Sequence, residues 1–303
     1  MAVTDISNTE AANFIPELWA NSALGKLGSF LNLARTVNRN FDTKPATYGD
    51  TIHIPKRGTL TAYEKAQNDS VTLQAPTATK VDISLDQHWE VSFIVEDIAA
   101  AQANQDIMAG YVEDAVITLA EKIEVKLAAL YASAGNDVNS STALTDAKML
   151  EARKILVDEK LPKLAPKYGY FDSSAINDLL ALDKFTRVED YGGSGVPVMT
   201  GELGTIYGIK IFESQLVQTS GSPSTYHCMV YGPDAMVLAM RPLPKAPQGA
   251  GVNQAVISDP EAGLGIRVSY SWNQDALGMQ VTLDTLFGVG VMRSEHLVDV
   301  YHT

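Results

Sequence analysis

Between Val81 and Val95 apolar residues recur at every second position: Val81, Ile83, Leu85, Trp89, Val91, Phe93 and Val95, with Gln87 the one interruption. A period of two places these side chains on one face of an extended chain, because successive strand residues point to opposite sides. At ~3.3 Å per residue the run would span about 50 Å, beyond an ordinary strand. Ile52 and Ile54 show the same alternation, and the polar stretch KRGTLTAYEKAQNDS (56–70) separates the two runs. The simplest geometry is a long two-stranded hairpin over 50–95 with a mobile tip near 66–70. A lone hairpin is marginal in water, so it must lie either on its own domain or on another molecule.

What flanks the hairpin has other periods. FIPELWANSALGKLGSFLNLARTVNRNF (14–41) sets Leu24, Leu27, Leu31 and Ala34 on one helical face broken by Gly25 and Gly28, an interrupted amphipathic arm that needs a partner surface. Between Gln105 and Tyr131, Val112, Ala115, Leu119, Ile123, Leu127 and Leu130 form a helical stripe, with Glu113, Glu121, Lys122, Glu124 and Lys126 pointing elsewhere. From 144 to 252 the pattern is mixed. A helix over Thr145–Glu159 stops before Pro162, a short strand YGYFD follows, and Ser173 can cap the helix SAINDLLAL. YHCMVYGPDAMVLAMRP supplies strands, and GIRVSYSW and MQVTLDTLFGVGVM, separated by NQDALG, predict a return hairpin near the end.

Chemistry-bearing motifs are missing from this text. GELGTIYGIKIFESQLV (201–217) is glycine-rich, but a phosphate cradle needs a helix N-terminus after its glycines, and here a strand follows. Gly204 and Gly208 are therefore expected to take positive φ in a tight turn. GAGVNQ, GLGIRV and GVGVMR are no dinucleotide fingerprint, and GGSG (192–195) lacks the second spacer of a nucleophile elbow. No pair among His53, His88, His227, His296 and His302 has the spacing of a helical metal site. The pairs Glu96–Asp97 and Glu189–Asp190 read as solvated faces or subunit contacts. No catalytic, cofactor-binding or metal-ligating residue is assigned, and no cofactor is expected.

Bulk properties narrow the classes further. The 303 residues, 46% hydrophobic, can bury a sizeable core and form two lobes or carry extended arms. The charge of 23 basic minus 36 acidic residues is −13, a surface that repels nucleic-acid phosphates and anionic membranes. Cys228, the single cysteine, excludes an intrachain disulfide and a thiolate zinc site, fits a reducing compartment, and sits in an apolar setting that reads as an inert buried thiol. The start MAVTDISNTEAANF has no signal-peptide pattern, and no apolar run reaches the length of a membrane span.

The order of parts is more specific than any motif: arm, long hairpin, rod-like helix, mixed lobe, return hairpin. It resembles the major capsid (coat) protein of tailed bacteriophages, the Johnson fold shared with herpesvirus shells and encapsulins. VNRNFDTKPATYGDTIHIP resembles the arm running into the extended loop, and DIMAGYVEDAVITLAEKIEVKLAAL the spine helix of the peripheral domain. LEARKILVDEKLPKLAPKYGYFDSSAINDLLAL resembles the helix, strand and second helix of the axial domain, and GELGTIYGIKIFESQLV the turn and strand further on in it.

The resemblance implies an α+β capsid fold: N-terminal arm 1–47, extended hairpin loop 48–96, peripheral domain with spine helix 97–138, axial domain 139–252, and 253–303 as the peripheral return hairpin and C-terminal end. It implies a non-enzymatic structural protein assembling in the host cytoplasm into the hexamers and pentamers of an icosahedral head. Implied partners are its own copies, a separate scaffolding protein, a portal and a cement protein; the shell encloses double-stranded DNA without sequence-specific binding and touches no membrane. The chain has no room for a long scaffolding segment of its own. The alternating face of the hairpin is expected to lie on a neighbouring copy. An encapsulin-type compartment, or a soluble α+β enzyme with an unrecognised site, are the alternatives.

Overall fold

The computed structural model describes residues 31–40, 51–58, 60–75, 78–96, 106–140, 143–182, 204–241, 243–245, 247, 252–259 and 264–303. Most of the arm, Asp97, the Glu189–Asp190 pair and the glycine loop 191–197 lie outside them.

Two sheets and one long helix share a core. The helix predicted over 105–131 is α2, Asp106–Ala128, followed by a 3-10 turn over Ala129–Ser133. At 1.5 Å per residue it is about 34 Å long. Val112, Ala115, Leu119, Ile123 and Leu127 are buried as the stripe requires, with Val116 and Ala120 widening it. Leu130 falls in the tighter turn and is half-buried. Ahead of the rod, one turn of helix, α1 (Leu33–Thr36), packs on α2 and buries Leu33 and Ala34.

The hairpin differs from its expected form. Strand β1 (Thr51–Arg57) pairs antiparallel with β2 (Ala78–Ser84), Thr51 opposite Ser84 and Arg57 opposite Ala78. The long alternating run then breaks: β3, Gln87–Glu96, leaves the ribbon and pairs with another sheet. One fifteen-residue strand thus becomes two, divided where the alternation falters around Gln87.

That other sheet is built on β13 (Gly278–Val291), which has β3 on one side and both β12 (Leu264–Asn273) and β10 (Met236–Arg241) on the other, with β11 (Val252–Asp259) outside β12. The β12–β13 pair is the predicted return hairpin. A second sheet of seven strands runs β4 (Asn136–Asn139), β14 (Leu297–His302), β9 (Thr225–Tyr231), β5 (Lys167–Phe171), β7 (Ile209–Glu213) and β6 (Thr205–Ile206), with β8 (Gln218–Ser220) also on β9. Helices α3 (Asp146–Asp158) and α4 (Ser173–Leu180) accompany it. The sheets do not follow the expected segments strand for strand: β10, from the 139–252 segment, joins the first sheet, and β14, from 253–303, joins the second.

The glycine question resolves as a turn. Between β6 and β7 stand Tyr207 (φ 50°) and Gly208 (φ 78°), a two-residue loop with both central residues left-handed, the form that matches strand twist. A Cβ added at Gly204 or Gly208 would meet nothing within 4 Å, so the backbone angle alone requires glycine.

Candidate assembly surfaces and polar clusters

The root of the β1–β2 ribbon is anchored within its own chain. Ile52, Ile54, Ile83 and Leu85 form a buried cluster with Val237 and Ala239 of β10. Below them β13 carries Gly288 and Gly290. A Cβ on Gly288 would stand 2.3 Å from the Ser84 carbonyl oxygen, so a side chain there would lift β2 off the sheet. Lys56 Nζ adds an ion pair of 2.7 Å to Glu295, which holds that carboxyl below its usual range. This corrects the expectation that the alternating face lies on a neighbour. The apolar side chains of the ribbon are short of partners only beyond the root, and the nearest cover for the root is the chain's own sheet.

Past the root, residues 60–75 are exposed throughout, with the turn at Ala66–Asp69 closed by Asp69 N–H donating to the Ala66 carbonyl. Thr61 N–H donates to Gln74 Oε1 at 2.9 Å, tying the two legs together. Along these legs Leu60, Tyr63, Val71 and Leu73 are 66, 59, 70 and 91% exposed. Four large apolar groups on one narrow projection exceed the scatter of single apolar residues expected on a monomer's surface. Trp272 and Leu277, at the β12–β13 turn, and Leu164, after α3, are further exposed apolar points.

Inside the molecule the ionisable groups are arranged differently from the sequence expectation. Glu124, predicted on the outer face of α2, is 2% exposed. Its two carboxylate oxygens accept the Leu33 and Ala34 backbone N–H groups, each at 3.1 Å. A short helix leaves its first N–H groups without intrahelical acceptors, and no side chain at Asn32 caps α1. Glu124 does so from another element, at the cost of desolvation. Burial pushes its carboxyl up to about 7 against the pull of the Ala34 and Leu33 N–H groups.

Asp172 likewise replaces the predicted cap of α4. Its carboxylate accepts Ser174 N–H at 3.0 Å and Ala175 N–H at 3.3 Å, while Ser173 lies one residue inside the helix and its hydroxyl donates to Glu213. The same Asp172 Oδ1 faces His302 Nε2 at 2.8 Å and the Cys228 thiol at 3.3 Å. Asp172, Cys228 and His302 are all buried, with ligand-type atoms within 4.8 Å of one another. Four donors converging on one carboxylate account for the cluster without an ion. Burial opposes ionisation of Asp172, but the His302 and Cys228 hydrogen bonds outweigh it and its carboxyl is held low. The Cys228 thiol is pushed well up by burial and by Asp172, in keeping with the inert thiol expected.

The remaining histidines are also partnered. His53 Nδ1 meets Asp82 at 2.5 Å on the ribbon surface, and His88 Nε2 meets Asp284 at 3.1 Å, where Arg267 is bound through Nε (3.0 Å) and Nη2 (2.5 Å). His296 Nε2 lies 3.2 Å from the Glu159 carbonyl. His227 Nδ1 lies 2.7 Å from Asp299 Oδ2, and its Nε2 lies 2.7 Å from Ser220 Oγ. Burial pushes the Asp299 carboxyl up, countered by His227. Sequence spacing could not expose the histidine–aspartate pairs, since their members stand 29 to 196 residues apart.

Neither a family model nor a curated protein matches the chain. Solved structures do. A chain in a structure of Mycobacterium phage Che8 is 19% identical with a TM-score of 0.67, over 89% of this chain and 90% of that one. A chain in the capsid structure of the cyanophage P-SCSP1u is 14% identical with a TM-score of 0.64, over 89% and 86%. A chain in the asymmetric unit of the bacteriophage PhiM1 mature capsid is 14% identical with a TM-score of 0.60, over 85% and 83%. Identity at this level speaks to architecture, and the architecture agrees over most of both chains: the chain has the α+β fold of phage capsid proteins, the Johnson fold expected from its sequence.

Proposed function

We propose that this protein is the major capsid protein of a tailed phage, whose copies assemble into the icosahedral head shell around double-stranded DNA. The observation that carries the reading is the likeness to phage capsid chains over nearly the whole length of both partners. The surface supports it. A projecting loop bearing Leu60, Tyr63, Val71 and Leu73 makes little sense on a free monomer and fits a chain covered by its neighbours.

In this reading residues 1–47 are the N-terminal arm, 48–96 the extended loop, 97–138 the peripheral domain with α2 as its spine, 139–252 the axial domain, and 253–303 the return hairpin and C-terminal end. Copies join as hexamers and pentamers, a separate scaffolding protein and a portal guide assembly in the host cytoplasm, and a cement protein binds the finished shell. The role is structural. Expression of the protein with the products of its neighbouring genes, followed by negative-stain microscopy, is expected to show closed shells of uniform diameter. A stable monomer or small oligomer under every condition, with scaffold supplied, would overturn the proposal.

A further inference from the structure

Beyond the structural role, we propose that Ser220, His227 and Asp299 form an activated-serine site that takes ester-type acyl electrophiles. Each residue comes from a different strand, in the order β8, β9, β14. Strand pairing sets Ser220 opposite Thr225 and Asp299 opposite Met229, so each is the diagonal neighbour, two positions off, of His227 on the central strand. Residues two apart on a strand share a face, and diagonal neighbours are within reach of long side chains. All three side chains therefore meet on one side of the sheet. Cys228 and His302 point to the other side, where Asp172 lies.

The roles follow from the atoms. A carboxylate can only accept, so Asp299 Oδ2, 2.7 Å away, fixes the proton of His227 on Nδ1. Nε2 is then the acceptor, and Ser220 Oγ lies 2.7 Å from it. The ring is clamped in that orientation by Tyr131, stacked at 4.0 Å and 17°. Asp299 Oδ1 is buried with no hydrogen-bond partner, so the imidazole is the group that answers this carboxylate. Geometry of this kind, a hydroxyl bonded to a base that is oriented by a third group, marks a nucleophile. Ser220 is exposed at the end of β8, where Gly221 (φ 76°) opens the tight turn into β9, which leaves the hydroxyl open to an approaching ester.

The chemistry balances with water as co-reactant. Oγ bonds to the acyl carbon as Nε2 takes the hydroxyl proton; the ester C–O bond breaks and the leaving alkoxide receives that proton. Water then attacks the acyl-serine, losing a proton through Nε2 to Oγ, so that ester and water give acid and alcohol. The site needs no part of the capsid reading, and its test is separate from shell formation.

The test is labelling of the full-length purified protein with a fluorophosphonate probe, with the site of phosphonylation located by peptide mass spectrometry. Stoichiometric modification of Ser220 is expected, lost in Ser220→Ala and slowed about a hundredfold or more in His227→Gln and Asp299→Asn. Circular dichroism of each variant separates loss of reactivity from loss of fold. The wild-type result stands without them: a folded protein left unlabelled at Ser220 overturns the proposal. So does labelling in folded His227→Gln at the wild-type rate, which would make the three residues a hydrogen-bonded pin across strands.

Discussion

At the scale of residues, the carboxylate of Glu124 has the most to say about pH. Its folded-state value of about 7 stands above its ordinary 4.5. Between those limits the folded protein holds a proton that the unfolded chain has released. Stability from this group is therefore full below about pH 4.5 and declines as pH rises toward and through 7, by up to about 1.4 kcal/mol per pH unit. Glu124→Gln is expected to remove this slope. Urea unfolding of both proteins at a series of pH values from 5 to 8 checks it, and parallel profiles for the two would show that Glu124 takes no proton on folding. The stripe read from the sequence, Val112 to Leu127, leaves Glu124 one position off it; the buried face is wider, and Val116, Ala120 and Glu124 form its second row at four-residue spacing, with Leu127 and Ala128 beyond. What buries it is α1, about ninety residues away, whose unsatisfied N–H groups need an acceptor. Ser173 teaches the same lesson at close range. The residue before it, Asp172, wins the cap because its carboxylate also answers His302 and Cys228, partners that no local pattern shows.

At the scale of elements, periodicity found what a single period governs. The rod α2, the return hairpin β12–β13 and the turn at Tyr207–Gly208 all follow from local rules of spacing and backbone angle. The extended run 81–95 obeyed its period and yet misled, since alternation fixes which face is apolar and leaves open which surface covers it. Its first half seats Ile83 and Leu85 on β10, and its second half seats Val91 and Phe93 against the main core. With the root anchored within the chain, the legs and tip are what remains of the loop for the assembly role proposed above. Lys65→Ala with Asp69→Ala alters exposed positions and is expected to change monomer stability by under about 0.5 kcal/mol, while lowering the yield of shells, in which each small loss recurs at every copy. Leu119→Asp, by contrast, puts an unpaired charge at a side chain 1% exposed and is expected to leave no folded protein. Soluble yield and melting, set beside particle yield, compare the two. Unfolding by the tip variant, or shells from Leu119→Asp, would reverse the roles given to ribbon and rod.

At the scale of the whole molecule, charge governs how such a chain meets DNA. Each copy carries −13, and several of its 23 basic side chains are committed within the chain: Lys56 to Glu295, Lys80 to Asp82, Lys148 to Glu151, Arg267 to Asp284, with Lys122 and Lys126 lying over the Trp89 ring. Pairs of this kind on a surface contribute little stability, but each removes a cation that could neutralise a phosphate. The exposed Arg153, Lys154, Lys160 and Lys163, on α3 and just after it, are interleaved with the exposed Glu151, Asp158 and Glu159, so this stretch is a face of mixed sign and lacks the unbroken basic track that is the usual footprint of a nucleic-acid binder. Purified subunits are therefore expected to show no measurable affinity for duplex DNA at 150 mM salt, a concentration at which exposed charges are screened beyond about 8 Å. Lowering the salt to 50 mM should not create binding, because weaker screening strengthens repulsion as well as attraction, and the net charge here repels. Fluorescence anisotropy with a labelled duplex at both concentrations decides the matter. Binding that is tight at 50 mM and weaker by orders of magnitude at 150 mM would reveal counterion release from several phosphates, and would overturn this expectation. If none appears, a shell of the kind proposed would contribute no pull on a genome, and the work of packing DNA against a wall of like charge would fall to another machine.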